Sequence, residues 1–92
     1  MPHTIAVHPG AVLSDELEER EITPAALAAH IHVSGKTIGE ICRGKRGITA
    51  EMAVKLALAL GASPQFWLNL QKNWELSQVD GKALRRIKPF AA

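Results

Sequence analysis

Apolar residues recur along most of this chain at intervals of three and four, the period of helices that each bury one face. Where the repeat starts and stops, it outlines five helices. Pro9 opens the first, since a proline at the first helical position lacks only an amide hydrogen that would have no partner there. From Gly10 to Arg20, Leu13 and Leu17 turn inward while Asp15, Glu16, Glu18 and Glu19 face water. Thr23 and Pro24 begin the second helix, whose apolar face is Leu27, Ala28 and Ile31. Ser34 caps the third: Ile38 and Ile41 point inward, Lys36, Thr37, Glu40 and Arg43 stay outside, and Gly44 ends it near Arg43. Thr49 caps the fourth, with Ile48 stapled on Ala53 and a buried stripe of Met52, Leu56 and Leu60 that stops at Gly61. Ser63 and Pro64 open the fifth, which carries Phe66, Trp67, Leu70 and Trp74.

Beyond Leu76 the helical repeat is lost. Val79, Leu84 and Ile87 predict a short return segment, with Pro89 limiting it. The first eight residues show no repeating apolar face. The organisation expected is therefore an arm over 1–8, a helical domain over 9–76 and a basic extension over 77–92.

The connection from His30 to Ser34 is so short that the second and third helices must cross steeply, with the third presented outward. That is a helix-turn-helix, whose second helix can enter the major groove of DNA. His32 falls where a left-handed backbone is needed, a place glycine enters more cheaply. The fold class expected is all-α, a compact five-helix bundle built around this motif.

Ninety-two residues suffice for one core, and leave little room for a large enzyme pocket. No apolar run approaches the roughly 20 residues needed to span a bilayer, and no basic start precedes a secretory apolar core, so the expected location is cytoplasmic. The single cysteine, Cys42, excludes an intramolecular disulfide. Eleven Lys and Arg against nine Asp and Glu leave a net charge of +2, too small to name a partner. Its distribution says more: Asp15, Glu16, Glu18, Glu19 and Glu21 crowd one early segment, Lys36, Arg43, Lys45 and Arg46 flank the third helix, and Lys82, Arg85, Arg86 and Lys88 lie near the end.

Residues 34 to 46 have the chemistry to read a polyanion. Helix amino ends favour phosphate oxygens, and cationic side chains neutralise neighbouring phosphates. The candidate DNA-binding set is Thr23, Ser34, Gly35, Lys36, Thr37, Glu40, Arg43, Lys45 and Arg46. Lys36, Thr37 and Glu40 are placed near bases, where Lys36 suits guanine and Glu40 suits the cytosine amino group. Ser34, Arg43, Lys45 and Arg46 are placed near the backbone. Glu40 has a second reading, in which it orients Arg43 or Lys36. Gly35 and Gly39 allow close approach, and each weakens the helix by about 1 kcal/mol relative to alanine.

Phe66, Trp67, Leu70 and Trp74 carry unusually large apolar area for so small a protein: some should close the core and the rest cover a second subunit, so the four form the candidate dimerisation set, against the alternative that all four seal one monomer's core. Metal chemistry has no support, because His3, His8, His30, His32 and Cys42 lack the spacing of a ligand set. Ser14 and Asp15 are adjacent without a motif that would add a base and an oxyanion site. Neither a catalytic residue nor a cofactor is assigned, and an enzyme is not expected.

The run IHVSGKTIGEICRGKRGITAEMAVKLALALGASPQFWLNLQ, with HPG at residues 8–10 and SPQFWLNLQ at 63–71, resembles the HigA-type antitoxins within the Cro and CI class of helix-turn-helix proteins. The resemblance covers residues 8 to 76. It implies a lambda-repressor-like five-helix domain, usually a homodimer, that represses its own operon at a palindromic operator. It also implies a partner, a HigB-type mRNA-cleaving toxin of the RelE-like class, neutralised by complex formation. The family's reading positions fall on Gly35, Lys36, Thr37 and Glu40, and its backbone-contacting turn on Arg43, Lys45 and Arg46. Pro24 stands where the broader class often has Gln, removing one familiar phosphate contact, and His32 stands where it has Gly. The alternative is a solitary regulator, or a protein-binding module of the same fold without a cognate toxin.

Overall fold

The computed structural model describes residues 6–91, so the first five residues of the expected arm, His3 among them, lie outside the described residues. Five helices follow in order: α1 (Pro9–Glu19), α2 (Pro24–His30), α3 (Gly35–Cys42), α4 (Ala50–Leu60) and α5 (Pro64–Ser77). The described residues form no strand. The all-α, five-helix expectation holds.

Each helix begins on a side chain that accepts one of its otherwise unpaired amide hydrogens. Thr23, Ser34, Thr49 and Ser63 do this with hydroxyls for α2 to α5. For α1 the cap is His8, whose Nδ1 accepts from the Gly10 amide at 2.9 Å. Three helices also end alike. Ile22, Val33 and Lys45 donate to the carbonyls of Leu17, Ala28 and Glu40, five residues back, at 2.9, 2.9 and 2.8 Å. Each closing bond needs a left-handed residue just before its donor. Those residues are Glu21 (φ 57°), His32 (φ 60°) and Gly44 (φ 75°).

The core joins every helix. Leu13 and Leu17 of α1, Leu27 and Ala28 of α2, Ile38 and Ile41 of α3, Met52, Ala53, Leu56 and Leu60 of α4 and Trp67 of α5 pack in one cluster with Ile31 and Ile48. Trp67 is only 1 % exposed, so one of the two tryptophans of α5 is spent inside the monomer. α1 meets α3 with no clearance at Gly10, where a Cβ would stand 1.7 Å from the Ile41 carbonyl oxygen. Only glycine permits that approach.

The expected return segment does not form. Val79, Leu84 and Ile87 are 52 %, 46 % and 74 % exposed, and the chain after α5 leaves the bundle instead of packing on it. The Cα radius of gyration is 16.1 Å, against about 12 Å for a compact chain of this length. Three apolar side chains spaced among cations and glycine do not make the continuous stripe that would draw the segment home.

Candidate nucleic-acid interface

Helix α3 is fixed at both ends and open between them. Ser34 Oγ accepts the Thr37 amide at 3.0 Å and shares a second hydrogen bond with Thr37 Oγ1 at 2.8 Å. These contacts set the direction of α3, while Ile38 and Ile41, both fully buried, hold its inner face. On the outer face Gly35 and Lys36 are exposed, and a Cβ at Gly35 would meet nothing within 4 Å. Gly39 has a different role: the Arg43 guanidinium lies over it, with Nη1 3.0 Å from where a Cβ would be. Thr23 Oγ1, exposed at the start of α2, accepts the Ala26 amide at 3.0 Å.

Glu40 and Arg46 are joined. Arg46 Nε and Nη2 donate to Glu40 Oε1 at 2.9 and 2.8 Å. The hydrogen bond from Arg46 is the main reason the Glu40 carboxyl is held below its ordinary range, and the positive charges of Arg46, Lys36 and Arg43 add to it against a smaller opposing effect of desolvation. Glu40 thus orients an arginine of the turn, but Arg46, neither Arg43 nor Lys36. In the free protein Arg46 is occupied at the reading face, while Arg43 and Lys45 stand exposed beside it.

The turn carrying these cations is anchored from behind by a residue the sequence reading missed. Gln71 of α5 is 7 % exposed, and its Oε1 accepts the Ile48 amide at 2.7 Å while its Nε2 donates to Glu75 at 2.9 Å. Gly47 lies flat on this amide: a Cβ there would come within 2.8 Å of Gln71 Nε2. A polar residue four places after buried Trp67, inside an apolar stripe, was the available signal.

The aromatic set divides. Trp67 belongs to the core, which corrects its assignment as an interface anchor. Phe66 is 43 % exposed and packs edge-on against Trp67 at 5.1 Å. Leu70 is half-buried, and Trp74 stacks edge-on against the His8 ring at 4.8 Å. Burial raises the Cys42 thiol above its ordinary value, so this half-buried cysteine behaves as a small apolar group. Among the described residues no group of three or more His, Cys, Asp or Glu side chains could hold a metal ion, and no helix is long and apolar enough to cross a membrane.

Two helices across a left-handed turn, the second capped, exposed and edged with cations, define a helix-turn-helix DNA-binding protein, and residues 13–67 match the family described as Helix-turn-helix. More narrowly, the chain belongs to the HigA-type antitoxins of that family. It is 44 % identical over 77 residues to antitoxin HigA-1 of Vibrio cholerae, covering 80 % of this chain and 72 % of that one. The structure of Pseudomonas aeruginosa antitoxin HigA with the higBA promoter superposes with a TM-score of 0.87 at 42 % identity, covering 94 % of this chain and 99 % of the other. An uncharacterised helix-turn-helix regulator of Escherichia coli, YddM, is 36 % identical over 83 residues, 86 % of this chain and 88 % of its own. These are regulators and antitoxins rather than enzymes.

Proposed function

We propose that this protein is the antitoxin of a type II toxin-antitoxin module, acting in the cytoplasm, that represses its own operon as a dimer and neutralises a HigB/RelE-like mRNA-cleaving toxin. The observation that carries the DNA-binding part is the exposed outer face of α3, capped by Ser34 and bordered by Lys36, Arg43 and Lys45. In this reading Lys36 and Thr37 lie against base edges, with Gly35 admitting the DNA backbone closely. Ser34, Arg43, Lys45 and Arg46 lie against phosphates, Arg46 after leaving Glu40, and Thr23 contributes from the start of α2. Glu40, once released, faces the bases. Phe66, Leu70 and Trp74 supply the apolar part of the dimer contact, and two reading helices about 34 Å apart then address half-sites one DNA turn apart.

The test is fluorescence anisotropy on the native upstream duplex and a scrambled duplex across a salt series. A repressor binds its own promoter more tightly at moderate salt, and its affinity falls as salt rises. Lys36→Ala reduces the preference if Lys36 reads a base, whereas an equal loss on both duplexes assigns it to a phosphate. Absence of any preference for the native duplex refutes operator binding. Co-purification with the product of the adjacent reading frame tests the toxin partner separately.

A further inference from the structure

Residues 79–91 carry large apolar side chains left exposed to solvent: Val79 is 52 %, Leu84 46 %, Ile87 74 % and Phe90 102 % exposed. The segment is nevertheless shaped. Asp80 Oδ1 accepts the Lys82 amide at 2.9 Å, and tight turns join Leu84 to Gly81, Arg85 to Lys82 and Ile87 to Leu84. It projects far enough to make the molecule 54 Å long and only 22 Å across. A concentration of exposed apolar surface on an ordered segment marks a contact with another body.

The bundle has a surface with complementary properties. An open crevice of about 250 Å³ runs between the end of α2 and the later turns of α4, lined by His30, Ile31, His32, Lys55, Leu58 and Ala59. Leu58 is 83 % exposed there. Arg20 Nη2 donates to the Leu60 carbonyl at 2.8 Å, which brings the acidic end of α1 to the last turn of α4. Exposed Glu18, Glu19 and Glu21 therefore stand at the same end of the molecule as Leu58 and Ala59. Lys55, the cation of the lining, is already paired with Glu51 at 3.5 Å. Against this apolar crevice with acidic neighbours, the extension presents apolar side chains interleaved with Lys82, Arg85, Arg86 and Lys88, and Asp80 is its single acid.

We propose that the C-terminal extension of one copy of this chain seats on a second copy, Ile87 and Phe90 beside Leu58 in the crevice and the cations over Glu18, Glu19 and Glu21, in a reciprocal exchange of arms. Two-fold symmetry makes the exchange self-complementary and doubles every contact. A stable interface buries roughly 1,200–2,000 Å² in total, and the exchange divides that between two equal arm contacts. The inference rests on the dimer reading above and specifies what completes that dimer.

The test uses full-length protein carrying Cys42→Ser, in which Leu58→Cys and Ile87→Cys are made separately, mixed and oxidised. The expected result is a covalent dimer on a non-reducing gel from the mixture and little from either variant alone. In parallel, sedimentation of Ile87→Asp/Phe90→Asp protein shows at least tenfold weaker self-association. Dimers in sedimentation without the mixed cross-link overturn the arm exchange and leave the dimer reading standing. Monomer alone at micromolar concentration overturns both. A cross-link within one chain of the doubly substituted protein, at a concentration where it sediments as a monomer, overturns the exchange in favour of a fold-back.

Discussion

Two side chains give their positions consequences beyond packing. His8 accepts the Gly10 amide through Nδ1, a role only the neutral ring can fill, and burial lowers its proton affinity below the ordinary value of 6.5. Arg43 and Lys45 flank Gly44, which lies next to the ring, and Glu75 follows its stacking partner Trp74, yet desolvation alone accounts for the shift. Because the folded state resists the proton that the unfolded chain takes up near 6.5, stability falls as pH drops through that value and stops falling below the lowered folded one. His8→Asn keeps an acceptor at the cap but does not titrate. Its melting temperature should therefore change less between pH 7.5 and 5.5 than that of the parent, and equal slopes would remove His8 from the account. At Glu40 the expected effect is on binding. Glu40→Gln takes a negative charge off the reading face and loosens Arg46, so affinity for a scrambled duplex at low salt should rise several-fold by anisotropy, about one extra phosphate contact per reading helix; unchanged affinity would mean that Arg46 stays where it is.

At the scale of elements, starts were easier to read than ends. Every helix start was legible, four from a hydroxyl cap adjacent to the proline or apolar face after it and α1 from Pro9 alone, its His8 cap going unread. Three of the four left-handed ends were legible as well, at Gly44, His32 and Gly61. Glu21 was missed, since a glutamate at that position carries no mark of a backbone it rarely adopts. Pairings between distant elements were the illegible part: Arg46 reaches six residues back to Glu40, and Gln71 reaches the loop twenty-three residues before it. The second pairing is testable. Gln71→Leu leaves the buried Ile48 amide without an acceptor and should lower stability by about 1–3 kcal/mol. Hydrogen exchange at Ile48 should quicken well beyond that at α1 amides, whereas uniform quickening would show only global weakening.

The whole molecule is one core with a projecting segment. Most of the core was legible because its residues lie on faces set by helical period, Trp67 and Gln71 of α5 being the exceptions. The projection was not, since an exposed apolar residue and a buried one look alike in a short irregular segment. Because the core draws on all five helices, the bundle should unfold in one step, with circular dichroism and the fluorescence of Trp67 and Trp74 giving the same midpoint. Leu56→Ala, at a fully buried position, should cost about 2–5 kcal/mol and shift both signals together. Separate midpoints would mean that α5 melts on its own.

The contact at Gly10 makes α1 and α3 a single lever. Backbone touches backbone there, with no side chain between them to yield, so the start of α1 and the end of α3 are held in one relative position. If α3 enters the groove as proposed, a partner that grips the far side of α1 would change how the protein sits there while remaining clear of the DNA itself.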